Sequence, residues 1–170
     1  MAGEFDLTGK TALVTGASQG LGRRFAKVLA AHGAAVVLAA RQTDKLAALA
    51  ADIEGRGGRA FTVPLDVTDC AAIAAAVAEV ESAFAPLDIL VNNAGVAVTR
   101  RFLEVTPEDY DHVLDTNLRG CFFVAQIVAK RMVARGGGSI INIASVLGQD
   151  VIGQVSPYSA SKAGLLHLTR

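Results

Sequence analysis

The stretch Thr11-Ala12-Leu13-Val14-Thr15, followed by Gly16-Ala17-Ser18-Gln19-Gly20-Leu21-Gly22, decides how the rest of the chain is read. A β-prone apolar run, Thr11–Thr15, ends in a turn with three glycines that opens a helix candidate over Gly20–Ala31. Glycine lets the backbone turn sharply and come close to a ligand. The helix N-terminus beyond offers unpaired N–H groups and the positive end of its dipole, which suit a pyrophosphate. A tight strand-to-helix turn would account for the glycines alone; their place between strand and helix favours dinucleotide binding.

The same alternation continues outward. Strand candidates Ala35–Ala40, Ala60–Leu65, Ile89–Asn92 and Ser139–Ala144 are separated by helix candidates Asp44–Glu54, Asp69–Phe84 and Pro107–Ala134. A last helix starts near Tyr158. Runs such as Ala-Leu-Val and Ile-Ile-Asn-Ile do not alternate with polar residues, as expected of strands covered on both faces. Repetition at this spacing predicts right-handed crossovers and an α/β fold, a doubly wound, Rossmann-like parallel sheet. One domain over residues 1–170 follows. Thr106-Pro107 with Glu108 and Asp109 reads as a helix start, and Gly136-Gly137-Gly138 as that helix's stop. Gly57-Gly58 parts the second helix from the third strand.

Composition narrows the function classes. The chain carries 16 Lys+Arg against 16 Asp+Glu, a formal net charge of +0, so no basic stripe invites nucleic acid or an anionic membrane. That balance also leaves little self-repulsion, which permits self-association. At 52% hydrophobic and 19% charged residues, the chain can fill a core and is not disordered. Cys70 and Cys121 are too few for a disulfide framework or a zinc site and read as small apolar side chains; no metal is expected. Met1–Lys10, with Glu4 and Asp6, is not a signal peptide, and no apolar run reaches the ~18 residues of a membrane span. A soluble, cytoplasmic protein is the expectation.

Further motifs stand at strand ends. Asp66-Val67 follows the third strand, and Leu90-Val91-Asn92-Asn93-Ala94-Gly95 closes the fourth. Ser145 lies just beyond the fifth strand, thirteen residues before Tyr158, and Tyr158-Ser159-Ala160-Ser161-Lys162 is a Y-x-x-x-K. Residues four apart share one helix face, so the phenol and the amine are neighbours. Asn117 sits inside the long helix, where asparagine carries a propensity cost.

Taken together these residues resemble the short-chain dehydrogenase/reductase family, whose glycine fingerprint is T-G-x-x-x-G-x-G. The resemblance covers essentially the whole chain. It implies that Gly16, Ser18, Gln19, Gly20, Leu21 and Gly22 hold the dinucleotide phosphates. Asp66 would accept a hydrogen bond from the adenine amino group, with Val67 beside it, and Asn93-Ala94-Gly95 would lie near the adenosine ribose. Asn117, Ser145, Tyr158 and Lys162 match the catalytic set, with Lys162 also bonding the nicotinamide ribose and Asn117 holding a water that links Lys162 to solvent.

The chemistry gives each residue type a reason. Reducing a carbonyl by hydride needs a proton donor, and oxidising an alcohol needs a base. A free phenol titrates near ~10, too high for base work at neutral pH. A lysine ammonium one turn away favours phenolate, so Tyr158 is the general acid/base and Lys162 its partner. Ser145 would bond the substrate oxygen as charge builds there.

At the end of the second strand, where an acid would bond the 2′-hydroxyl of NAD, the family pattern places Ala40, followed by Arg41. A guanidinium pairs well with a 2′-phosphate. NADP is therefore the expected cofactor, with NAD the alternative, since Gln19 is not basic.

Relatives of this kind run to roughly 250 residues as one domain. The chain thus reads as the N-terminal part of such an enzyme, C-terminally truncated, with the fifth strand an unpaired apolar edge. The expected function is hydride transfer between NADP(H) and a carbonyl or secondary alcohol such as a 3-oxoacyl thioester, keto sugar or steroid. A catalytically silent nucleotide-binding or regulatory protein is the rival reading. Leu147–Pro157 and Val96–Phe102 should line the substrate pocket, with Val151, Ile152 and Val155 as apolar walls. A homodimer or homotetramer through Pro107–Ala134 and the Tyr158 helix is implied by the resemblance.

Overall fold

Five strands form one parallel sheet in the order β3-β2-β1-β4-β5 in a computed structural model that describes residues 5–150 and 152–170. They are β1 (Thr11–Thr15), β2 (Ala35–Ala40), β3 (Arg59–Pro64), β4 (Ile89–Asn92) and β5 (Ser139–Asn142). The chain steps outward from β1 through β2 to β3, then returns across β1 to β4. That reversal opens a crevice at the carboxyl ends of β1 and β4, the place where such sheets take ligands.

Helices cover both faces. Leu13, Val37 and Val63 point into one core with Ile73, Val77 and Val80 of α3 (Cys70–Ala83) and Val124, Val128 and Met132 of α5 (Cys121–Ala134). Ala12, Val14, Val36 and Leu38 point the other way, onto Ala26 of α1 (Gly20–Ala31) and Leu46, Leu49 and Ile53 of α2 (Thr43–Glu54). Each fully buried Leu, Ile or Val stabilises this packing by roughly 1.5–3 kcal/mol. The remaining helices are α4 (Pro107–Leu114) and α6 (Ser156–Leu168). No described helix is long and apolar enough to cross a membrane.

Several expected boundaries shift for local reasons. Asp69 and Phe84 flank α3 instead of lying in it, because Asp69 Oδ1 caps the helix by accepting from Ala71 N (2.9 Å) and Ala72 N (3.0 Å). The last helix begins at Ser156, since Pro157 fits the first turn where its missing N–H is not needed. β5 stops at Asn142, two residues early, although Ile143 N still bonds Asn92 O at 2.9 Å. Among the described residues β5 pairs only with β4, and Ile141 on it is 48% exposed.

The largest correction concerns the helix expected over Pro107–Ala134. It starts as expected, with Thr106 and Asp109 forming a reciprocal capping box. Between α4 and α5, however, Asp115–Gly120 forms a wider π-helical turn. Three anchors hold this turn. Asn117 bonds the Val96 backbone, Arg119 Nη1 donates to Thr68 O at 3.1 Å, and Gly120 packs so closely that a Cβ would stand 2.8 Å from Val67 O. At the far end Gly136 adopts φ +97°, and Gly137 N closes the helix onto Met132 O.

Candidate active site

The glycine turn after β1 forms one wall of the crevice. Gly16 and Gly20 take φ +66° and +54°, the left-handed region that side chains disfavour. Gly22 lies so close behind the turn that a Cβ there would collide with Gly16 O and stand 2.5 Å from Asn93 Nδ2. Gln19 precedes α1 without a side-chain cap, and no acid occupies the first turn, so the N–H groups that open the helix have no side-chain partner and suit an anion.

A cleft of about 390 Å³ runs along the carboxyl ends of the strands. Gly16, Ser18, Gln19, Gly20, Leu21, Arg41, Asp66, Val67, Asn93, Ala94 and Gly95 all line it, whereas Gly22 sits behind its wall. Ala40, Gln42, Leu65, Val96 and Thr116 line it too; Ala40 is expected from the sequence as the position lacking an acid and Val96 as the start of a substrate-pocket segment, whereas Gln42, Leu65 and Thr116 are not singled out there. Thr116 is the direct neighbour of Asn117, the one signal that could have found it.

Hydrogen bonds fix the cleft floor. Thr15 Oγ1 accepts from Asn93 N (3.0 Å) and Ala94 N (3.1 Å). Asn93 Nδ2 donates back to Thr15 O at 3.0 Å and Gly16 O at 3.3 Å, so its carboxamide braces β4 against the glycine turn. Asn92 Nδ2 ties β4 to Cys121 O and to Asn142 Oδ1, each at 3.1 Å. At the opposite end, Asp66 Oδ1 accepts from Thr68 N (3.0 Å) and Thr68 Oγ1 (2.8 Å), and Arg41 Nη1 stands 3.7 Å from Oδ2. The Thr68 backbone N–H foremost holds the Asp66 carboxyl below its usual range, against the opposing effect of burial, with Arg41 adding to it.

No described residue of α6 lines the cleft; the helix comes near it at the Gly95 edge. Lys162 is 4% exposed, and its Nζ donates to Ile143 O at 2.7 Å. The same Nζ lies 5.6 Å from the Tyr158 ring centroid and 3.7 Å from where a Cβ on Gly95 would stand. Lys162 Nζ therefore lies near both the Tyr158 ring and Gly95 on the cleft lining. Burial pushes its ammonium below its ordinary pKa, partly opposed by nearby Cys121. Cys121 is itself buried, and burial pushes its thiol up to about 11; Cys70 is half-buried.

Ser145 sits two residues beyond Ile143, in a turn whose Gly148 packs against the Lys162 backbone. Its Oγ accepts from Leu147 N at 3.2 Å, so the hydroxyl proton is free to donate to a substrate oxygen. Asn117, 0% exposed, accepts from Val96 N at 2.8 Å and donates from Nδ2 to Val96 O (2.9 Å) and Ser161 Oγ (3.1 Å). Both amide protons are committed, so a water here would need another atom of the residue. The two segments expected to line a substrate pocket meet where Arg100 N donates to Gln154 O at 2.7 Å. Val155 is half-buried, Ile152 is 62% exposed, and Val151 lies outside the described residues.

Residues 10–170 match the family model for short chain dehydrogenase. The chain belongs to the short-chain dehydrogenase family. The chain is 42% identical over 166 residues to a gluconate 5-dehydrogenase of Gluconobacter oxydans, covering 98% of this chain and 65% of that protein. Among solved structures it superposes with a TM-score of 0.94 on a gluconate 5-dehydrogenase from Burkholderia cenocepacia in complex with NADP and tartrate. That match has 40% identity and covers 97% of this chain and 65% of the other. An actinorhodin polyketide ketoreductase with NADPH gives a TM-score of 0.91 at 37% identity, covering 99% of this chain and 64% of that one. The chain thus spans about two thirds of the length of these relatives.

Proposed function

We propose that the chain is the dinucleotide-binding and catalytic unit of an NADP(H)-dependent oxidoreductase acting on a carbonyl or secondary alcohol. The observation that carries this reading is the place of Lys162 Nζ, near both the Tyr158 ring and Gly95 on the lining of the glycine-walled cleft. The glycine end of the cleft fits a dinucleotide phosphate: Gly16 and Gly20 hold a left-handed turn, and the helix start beyond is uncapped with no acid in its first turn. Arg41 at the end of β2, with no carboxylate at Ala40, favours a 2′-phosphate. The bound NADP and NADPH of the two solved relatives support the same choice.

When bound, the nicotinamide supplies the hydride; the protein supplies orientation and electrostatics. Ser145 donates a hydrogen bond from its hydroxyl to the substrate oxygen and holds it as charge develops. Tyr158 passes its phenolic proton to that oxygen in reduction, or receives one in oxidation. Lys162 Nζ, 5.6 Å from the Tyr158 ring centroid, holds a cationic group beside that proton transfer. Gluconate 5-dehydrogenase and polyketide ketoreductase among the relatives support a keto sugar acid or a 3-oxoacyl thioester as substrate classes. Self-association through α4 and α5 belongs to the same reading, since Tyr110 and Phe122 on them are exposed.

Titration of NADPH and NADH against the chain, followed by a panel of ketones with NADPH oxidation as the signal, tests the proposal. Tighter binding of NADPH and turnover on at least one ketone are expected. Binding of neither dinucleotide would overturn it.

A further inference from the structure

Asn117 and Ser161 form a buried link between the cleft and the helix that carries Tyr158 and Lys162. Both side chains are 0% exposed. Asn117 grips the backbone of Val96, next to Gly95 on the cleft wall, through Oδ1 and Nδ2. Its second amide proton goes to Ser161 Oγ, and Ser161 in turn donates to Tyr158 O at 2.7 Å. Ser161 immediately precedes Lys162, so a single hydroxyl joins the π-helical turn, the cleft wall and the catalytic turn of α6.

We infer that Ser161 is a positioning residue: its hydroxyl holds Tyr158 and Lys162 in register with the Gly95–Val96 edge of the cleft. The role of Tyr158 and Lys162 in turnover rests on the function proposed above; the link itself does not. Without the hydroxyl, one amide proton of Asn117 is left unpaired in a site closed to water. Asn117 then has reason to turn, and its hold on Val96 N–H loosens. Displacing catalytic groups by a fraction of an ångström is enough to lower a rate about tenfold.

Ser161→Thr keeps the hydroxyl, which in a helix can still reach a carbonyl three or four residues back, whereas Ser161→Val has the same shape without it. The first measurement is amide exchange of Val96 in the unliganded chain. Ser161→Val should speed it about tenfold relative to the native chain, and Ser161→Thr should recover most of the protection. The second is steady-state kinetics with NADPH, where Ser161→Val should lower kcat about tenfold with KM little changed and Ser161→Thr should recover most of the loss. Equal Val96 exchange in the Thr and Val variants overturns the link, and equal kcat overturns its role in positioning. Absence of turnover in the native chain instead counts against the proposed function, with the exchange experiment still deciding the link.

Discussion

Gly22→Ala puts one methyl where the cleft wall has no room. The added Cβ would collide with Gly16 O and stand 2.5 Å from Asn93 Nδ2 and 2.9 Å from Gly16 C. Carbon contacts settle near 3.5–4.0 Å, so the wall or α1 must give by about 1 Å. Overpacking of this kind destabilises by about 1–3 kcal/mol, a fall in Tm of about 2–12 °C for a chain of this size. The shift also moves Asn93, whose bonds to Thr15 O and Gly16 O hold the turn in shape. Displaced amides bond a phosphate less well, and a loss of about 1.4–2.8 kcal/mol weakens NADPH about ten- to a hundredfold. Gly9→Ala separates strain from shape: φ there is +81°, nothing lies within 4 Å, and the residue is outside the cleft. It should lower Tm by a similar order through left-handed strain of about 1–2 kcal/mol and leave NADPH affinity unchanged. Calorimetric titration beside thermal melts reads both. Native affinity in Gly22→Ala, or an equal loss in Gly9→Ala, refutes the reasoning.

Three more outcomes are expected. Arg41→Ala should weaken NADPH roughly five- to tenfold and leave NADH unchanged, a modest effect because the side chain is exposed; parallel titrations check the ratio. Lys162→Met should alter the pH dependence of stability. The folded pKa of Lys162 lies below its ordinary 10.5, so over that interval the unfolded chain binds more protons and native stability rises with pH. The native chain should therefore gain on Lys162→Met as pH climbs toward 10.5, measured by denaturant midpoints, and a constant difference would contradict this. Thr106→Ala removes the side-chain half of the capping box on α4 and should cost about 0.5–2 kcal/mol, checked by urea unfolding.

Much of this architecture is written locally. β1, β2 and β4 are short apolar runs bounded by glycine or helix signals, and their limits read directly from that pattern. The glycine turn and the Tyr158–Lys162 pair are equally legible, because each needs only neighbours in sequence. What could not be read depends on distant partners. Asn117 and Gly120 weaken the helical pattern without marking a π-helical turn, which depends on distant anchors such as Val96, 21 positions from Asn117. Ser161 inside a helix looks ordinary until Asn117, 44 positions earlier, is seen against it. Lys162 likewise takes Ile143 O as its partner, a carbonyl that no side-chain motif reveals. Asn93 reads as a ribose neighbour from resemblance, while its bonds show a brace for the glycine turn.

Tyr158→Phe tests the central claim most directly, with NADPH affinity and turnover on a reducible ketone measured on the same preparation. The phenol ring and its packing remain, so NADPH should bind as tightly as to the native chain. Turnover should fall by about 10²–10⁴, the contribution of a positioned general acid. Native turnover with phenylalanine at this position would contradict the account.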